Sequence, residues 1–234
     1  MKLSIVIPVY NEEKFVDAVL EKVRNVKFQE GVEVELVAVD DCSKDSTFEH
    51  LKEWAKKGVK VARHEKNAGK GAALHTGFAL ATGDIITIQD ADFEYDPEDL
   101  PKLLAPMLEG KADFVFGARE AFVKGHSHRV MYFWHILINK FLTIFCNMFS
   151  NFALSDMECC YKMFRRSVLE KITLKEKRFG FEPEITLKAS RQEILVYEVP
   201  VYYSCRTYAE GKKISWKDGV SALRCIIKYG LFGL

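Results

Sequence analysis

The sequence predicts an α/β fold: a doubly wound, mainly parallel sheet flanked by helices, Rossmann-like in its layering, with amphipathic helices toward the C-terminus. Three observations predict it. Short β-branched and apolar runs alternate with stretches of helical periodicity through the first half of the 234 residues, the pattern of a parallel sheet built with right-handed crossovers. Two of those runs, 32–39 and 85–88, end abruptly in carboxylates, Asp40-Asp41 and Asp90-Ala91-Asp92, at the strand edge where open α/β sheets hold their ligands. A hydrophobic content of 48% lets a chain of this length bury a substantial core.

The elements follow in order. Residues 3–9 read as a buried strand, and Asn11 is the expected N-cap of a helix with Glu12 and Glu13 in its first turn and Phe15, Val16, Val19, Leu20 and Val23 on its apolar face. After the strand at 32–39, residues 43–47 supply cap chemistry for a helix carrying Leu51, Trp54 and Ala55. A short strand at 60–63 leads through Asn67-Ala68-Gly69-Lys70-Gly71 into an Ala- and Leu-rich helix stopped by Thr82-Gly83. The strand at 85–88 follows, then a helix from 98 to about 108 begun by Asp96-Pro97, then a strand at 113–116.

After Gly117 the alternation gives way. Residues 130–149 are apolar and aromatic, yet His135, Asn139, Thr143, Asn147 and Ser150 recur at helical spacing as a polar stripe, with Lys140 beside it. A spanning helix needs about 20 predominantly apolar residues, so the stripe argues for an amphipathic helix instead. It either packs on the sheet or lies in a membrane interface, to which Tyr132, Phe133 and Trp134 are suited. A strand at 159–165, a helix at 181–189 opened by Glu182-Pro183-Glu184, a strand at 194–204, a basic loop at 206–213 and an amphipathic helix at 216–229 complete the reading. No repeat, low-complexity tract or linker divides the chain, so one domain is expected over 1–234.

Composition narrows the function. Lys+Arg of 34 against Asp+Glu of 33 leaves a formal charge of +1, which excludes a nucleic-acid binder held by overall charge. The six cysteines form no C-x-x-C pair and no secretory signal is read at Met1-Lys2, so reduced thiols and a cytoplasmic location are expected. The Cys159-Cys160 pair reads as packing rather than zinc ligation, for want of further ligands at recognisable spacing.

Asp90 and Asp92 carry the clearest chemistry. Mg²⁺ on a diphosphate needs one or two hard carboxylate ligands and takes the rest from phosphate and water, and a cation keeps two neighbouring carboxylates ionised. The alternatives are a solvated turn with a helix cap, or a structural Ca²⁺, for which the regularly spaced oxygens of an EF-hand are missing. Asp40 either accepts hydrogen bonds from a base or ribose or caps the next helix. The loop 67–71 matches neither a P-loop nor a dinucleotide fingerprint.

In combination the motifs are more specific. Ile5-Val6-Ile7-Pro8-Val9-Tyr10-Asn11-Glu12-Glu13, Val39-Asp40-Asp41-Cys42-Ser43, Asn67-Ala68-Gly69-Lys70-Gly71 and Asp90-Ala91-Asp92, in that order, resemble the family 2 inverting glycosyltransferases of the GT-A fold. Within that family the chain looks most like the polyprenyl-phosphate glycosyltransferases, the dolichol-phosphate mannose and glucose synthases. Phe116-Gly117-Ala118-Arg119 resembles their Gly-Ser-Arg segment. Arg206-Thr207-Tyr208-Ala209-Glu210-Gly211-Lys212 resembles their Arg-x-x-Gly-x-Ser-Lys loop, with Ala209 and Gly211 in place of the Gly and Ser.

The resemblance implies a nucleotide-sugar-binding half at 1–120 and an acceptor-binding half at 121–234. It implies that Pro8, Tyr10, Glu12 and Asp40 hold the nucleoside. Asp90, Asp92 and Glu94, around Ala91, would hold Mg²⁺ or Mn²⁺ on the donor diphosphate, with Lys70 assisting. Arg119, Arg129, Arg206 and Lys212 are the cations suited to an acceptor phosphate. The implied reaction is inverting transfer of a hexose from GDP-mannose or UDP-glucose to a polyprenyl phosphate, in peripheral contact with the cytoplasmic membrane face. An ionised phosphate needs no strong base, whereas a glycan or protein hydroxyl does. Under that second reading, a soluble transferase, Asp156, Glu158 or Glu184 is the candidate base; each could equally orient an arginine or cap a helix. A non-catalytic nucleotide-sugar-binding module is the third reading.

Overall fold

A computed structural model describes residues 1–119, 129–130, 132–207, 210 and 216–233. Seven strands form one sheet: β1 (Lys2–Val9), β2 (Glu33–Asp40), β3 (Lys60–Arg63), β4 (Ile85–Ile88), β5 (Phe114–Arg119), β6 (Lys162–Arg165) and β7 (Val196–Val201). They run in the order β3-β2-β1-β4-β6-β5-β7. The pairings β1–β2, β1–β4, β2–β3 and β5–β7 are parallel, and β6 is antiparallel to both β4 and β5. The sheet is mainly parallel, as expected, with one reversed strand joining its two parts.

The helices are α1 (Val16–Asn25), α2 (Thr47–Lys56), α3 (Lys70–Leu80), α4 (Leu100–Leu108), α5 (Phe133–Ser150), α6 (Arg166–Leu169), α7 (Phe181–Ala189) and α8 (Trp216–Phe232). Strands β1 and β4 are buried almost throughout, which is why their sequences read as continuous apolar runs rather than alternating ones. Helix α3 packs on β1 and β2, and Gly77 permits the approach, because a Cβ there would collide with the Val6 side chain.

The chain leaves β1 toward β2 on one side, while β4 pairs on the other. Val6 lies opposite Ile88, and the Gln89 N–H donates to the Val6 carbonyl at 3.0 Å. The carboxyl ends of β1 and β4 therefore open side by side at the point where strand order reverses, the crevice in which such sheets bind ligands.

Four local expectations change. Asn11 does not cap α1, whose N-cap is Phe15; it sits in left-handed backbone at φ 51°, its Oδ1 accepting the Lys44 N–H at 2.8 Å. Strand β6 starts at Lys162 rather than 159, because the preceding backbone is engaged elsewhere: Met157 N–H donates to Thr143 Oγ1 and Cys160 N–H to the Tyr95 hydroxyl. The short helix α6 was not foreseen.

Helix α5 is amphipathic as expected, and the fourth difference is that its polar stripe, not only apolar residues, meets the protein. Its polar stripe faces inward: Asn139, Thr143 and Ser150 are buried, and Asn147 exchanges hydrogen bonds with the Leu154 backbone. Leu142 and Cys146 are buried beside that stripe, while the outer face is apolar as well, with Phe133 and Trp134 each 67% exposed and Met148 72% exposed. Among the described residues no helix is long and apolar enough to cross a membrane.

Candidate active site

A cleft of about 370 Å³ opens at the carboxyl ends of β1 and β4. Pro8, Tyr10 and Glu12 enter it from the end of β1, and Asp90, Ala91, Asp92 and Glu94 from the turn after β4. Lys70, the first residue of α3, Arg119 at the end of β5, Glu158 and Arg206 complete the set of expected residues that line it.

The glycine loop forms one wall. Asp41 accepts the Ala68 and Gly69 N–H groups at 2.9 and 2.7 Å and faces His64 Nδ1 at 2.7 Å, which fixes the loop to the end of β2. Gly69 has φ +100°, and a Cβ on Gly69 or Gly71 would collide with the Lys177 or Glu176 carbonyl. These glycines are where two backbones meet. The contact brings Arg178 and Phe179 into the cleft, residues that no sequence pattern marked.

The acidic turn is balanced by two cations. Lys70 Nζ lies 3.1 Å from Asp90 and 3.2 Å from Glu182. Burial works against its charge, but Asp90, Cys160 and Glu182 hold its pKa well above the ordinary lysine range. Arg206 lies 2.8 Å from Asp92, 3.4 Å from Glu94 and 3.5 Å from Glu12. Burial, then the charges of Asp90 and Glu94, push the Asp92 carboxyl up to about 7 against the pull of Arg206. Arg206 reaches the site because residues 203–206 lie along the acidic turn: the Ser204 N–H donates to the Glu94 carbonyl and the Arg206 N–H to Glu94 Oε1.

Arg119 is held from behind. Asp156, fully buried, accepts Arg119 Nε at 2.5 Å and Nη2 at 2.7 Å, and also Asn139 Nδ2 at 2.9 Å. Burial alone would raise the Asp156 pKa; the charge and hydrogen bonds of Arg119, with Asn139, bring it below the usual range. Asp156 is thus an arginine holder fed by α5 and is not among the residues lining the cleft. Glu158, which does line it, is pushed up to about 8 by burial and then by the charge of Glu182.

Other expected residues lie elsewhere. Asp40 is fully buried, 3.0 Å from Arg63 and capping the Ser43 N–H, while its neighbour Asp41 lines the cleft. Arg129 pairs with Glu210 at 3.1 Å, outside the cleft lining. Glu184 is buried on the other side of α7, accepting the Lys175 and Glu176 N–H groups and Lys188 Nζ. Lys212 lies outside the described residues.

A divalent ion was expected on Asp90, Asp92 and Glu94. All three carboxylates have protein partners: Glu94 accepts the Tyr203 hydroxyl at 2.7 Å and the Arg206 N–H, Asp90 accepts Lys70 Nζ, and Asp92 accepts the Glu94 N–H and Arg206 Nη2; no group of three potential ligands converges among the described residues. Asp90 and Asp92 remain partly exposed at the cleft, 19% and 18% at the side chain. Two hard carboxylates with phosphate oxygens supplying the rest is the usual protein share of a Mg²⁺ site, and Asp90 and Asp92 fit that share.

Comparison with known proteins bears on the same residues. The chain is 32% identical over 219 residues to the dolichol-phosphate mannosyltransferase of Pyrococcus furiosus, covering 91% of this chain and 59% of the relative, so it spans little more than half of that protein's length. Its fold matches glucosyl-3-phosphoglycerate synthase from Mycobacterium tuberculosis, solved with Mg²⁺ and UDP, at TM-score 0.72 and 19% identity over 98% of this chain and 79% of that one. It matches TarS 1-349 of S. aureus, solved with UDP-GlcNAc, at TM-score 0.66 and 22% identity over 97% and 65%. These likenesses establish the GT-A fold. The model of glycosyl transferase family 2 covers residues 4–173, from β1 through the acidic turn to β6, and the chain belongs to that family.

Proposed function

We propose that the protein is an inverting, divalent-metal-dependent hexosyltransferase, moving a hexose from GDP-mannose or UDP-glucose to a polyprenyl phosphate while in peripheral contact with the cytoplasmic face of a membrane. One observation carries the reading: the contact chain Arg119–Asp156–Asn139 joins the cleft to α5, whose opposite face is apolar and exposed. A cation beside the acidic turn and an outward apolar helix are thus parts of one arrangement. An amphiphile with a phosphate at one end and a hydrocarbon chain at the other suits both. Trp216, Leu231 and Phe232 on α8, which packs against α5, extend the apolar surface.

The chain's own residues account for binding and orientation. Pro8, Tyr10 and Glu12 receive the nucleoside at the end of β1, and Lys70 faces the diphosphate beside Asp90. Asp90 and Asp92 would hold a Mg²⁺ or Mn²⁺ ion, which would neutralise charge on the departing nucleoside diphosphate. Arg119, fixed by Asp156, and Arg206 orient the acceptor phosphate, whose ionised oxygen attacks the anomeric carbon from the face opposite the leaving group. With Asp156 committed to Arg119, its role is to hold that arginine rather than to take a proton.

Incubation with labelled GDP-mannose or UDP-glucose, Mg²⁺ or Mn²⁺ and dolichyl or undecaprenyl phosphate is expected to move label into chloroform-extractable material, and a chelator to abolish it. Absence of a lipid product with both donors refutes the proposal. Production that survives chelation refutes its metal dependence.

A further inference from the structure

We propose that Glu158 and Glu182 form the subsite for the sugar ring of the donor, accepting hydrogen bonds from its hydroxyl groups and favouring a neutral hexose over a uronic acid. The inference deepens the proposed function and rests on its donor half. It begins from two orphaned atoms. Glu158 Oε1 and Glu182 Oε2 are buried without a hydrogen-bond partner, and both residues line the cleft. Glu182 is only 3% exposed, so this is no solvated acidic surface. A buried polar atom left unpaired costs about 1–3 kcal/mol, and native structures keep few of them.

Position and chemistry indicate what satisfies them. The other oxygen of Glu182 lies 3.2 Å from Lys70 Nζ, which itself lies 3.1 Å from Asp90. One lysine thus spans the acidic turn, which faces the diphosphate, and the carboxylate pair. The group bonded directly to the diphosphate of a nucleotide sugar is the sugar. Glu158, raised to about 8 by burial and by Glu182, is largely protonated near neutral pH, and the unprotonated carboxyl oxygens of the pair accept hydrogen bonds. Of the parts of the donor, the sugar ring is the one that presents several hydroxyl donors close together, whereas phosphate presents acceptors. A second metal ion is the other conceivable guest, but no cluster of three ligating side chains exists among the described residues, and Lys70 already supplies the positive charge. The negative charge that the pair retains disfavours a sugar carboxylate by like-charge repulsion.

Sequence position alone did not mark Glu182. Helix α7 begins at Phe181, so residue 182 falls in its first turn toward the cleft, while Glu184, two residues and about 200° further round the helix, bonds the 175–176 backbone.

The test is titration calorimetry of the wild type, Glu158→Gln, Glu182→Gln and the double variant in Mn²⁺. The ligands are UDP, GDP, UDP-glucose, GDP-mannose and the uronic-acid donor sharing the preferred base. The wild type is expected to bind its preferred hexose donor at least 10-fold more tightly than the matching uronic-acid donor. The double variant is expected to lose at least 10-fold in affinity for that hexose donor while its affinity for the bare nucleotide changes less than about twofold, since a site built to bond a substrate hydroxyl is weakened selectively when those bonds go. Equal affinity of wild type and double variant for the hexose donor overturns the subsite, as does a parallel loss for nucleotide and nucleotide sugar. A wild type that binds no nucleotide overturns the donor reading beneath it, a distinct result. Should Glu182→Gln fail to fold, Glu158→Gln carries the same comparison.

Discussion

Replacing Asp156 by Asn separates a positioning carboxylate from a catalytic base. Asp156 is 0% exposed and gives both oxygens to Arg119, whose side chain is 13% exposed, while also accepting from Asn139. Removing one partner of a buried ion pair costs about 3–5 kcal/mol. Asn keeps a carbonyl acceptor in the same place, so the expected loss is about 3 kcal/mol. For a chain of this size that lowers Tm by roughly 6–12 °C. The charge also sets a pH dependence. Because the folded-state pKa lies below the ordinary one, the contribution is fully present above about pH 4 and is lost as pH falls through the folded value. Asp156→Asn should therefore flatten the acid limb of the stability profile as well as lower its plateau. Urea denaturation from pH 2 to 8 measures both. With Arg119 loosened, KM for the acceptor phosphate should rise. Arg119→Met combined with Asp156→Asn should recover about 1–2 kcal/mol of the lost stability, because the charge left unpaired is gone. Turnover that collapses in Asp156→Asn with stability changed by less than about 0.5 kcal/mol would refute the holder and restore the base.

Three further outcomes are expected. Gly71→Ala places a Cβ against the Glu176 carbonyl and should cost about 1–3 kcal/mol while weakening nucleotide binding, since the displaced wall carries Arg178 and Phe179; urea midpoints and calorimetry check this, and unchanged values argue against the close contact. Phe141→Asp with Ile144→Asp, at positions 56% and 63% exposed, should reduce sedimentation with anionic vesicles at least 10-fold while moving Tm by less than about 2 °C, as surface changes cost little; full vesicle binding would refute α5 as the membrane contact. Glu35→Gln removes a carboxylate bonded by Ser4, Thr82 and Lys60. Burial there is outweighed by those partners, so its pKa is depressed, and its stabilisation is present above about pH 4.3 and lost below it. The variant should be less stable by about 2 kcal/mol at neutral pH and less sensitive to acid; an unchanged acid limb in chemical denaturation would refute this.

Much of the architecture was legible because the signals that encode it are local. Continuous apolar runs in β1 and β4 mark doubly buried strands, and a parallel sheet places all their carboxyl ends on one edge. Asp90 and Asp92 are therefore legible at the strand end itself, whereas Pro8, Tyr10, Glu12 and Lys70 follow from the family resemblance; all six line one cleft. The family resemblance rested on the same strand ends, and the family model spans them.

Tertiary structure decided which of two adjacent or alternate side chains faces the site. Successive residues at a strand end point to opposite sides, and the sequence cannot say which side the glycine loop will occupy; it packs so that Asp41, not Asp40, meets the cleft. Glu182 and Glu184 differ only by rotation about α7, and what fixes that rotation is contact between segments about 100 residues apart, the 176–178 backbone on Gly69 and Gly71. The polar stripe of α5 was visible in the sequence, but its direction was not. Asn139 turns inward because Asp156 accepts its amide, beside the buried Leu142 and Cys146, and the remaining large apolar residues such as Phe141, Ile144 and Met148 are left outward. An amphipathic pattern specifies two faces; only the buried polar partners, which come from distant parts of the chain, determine which face meets the protein.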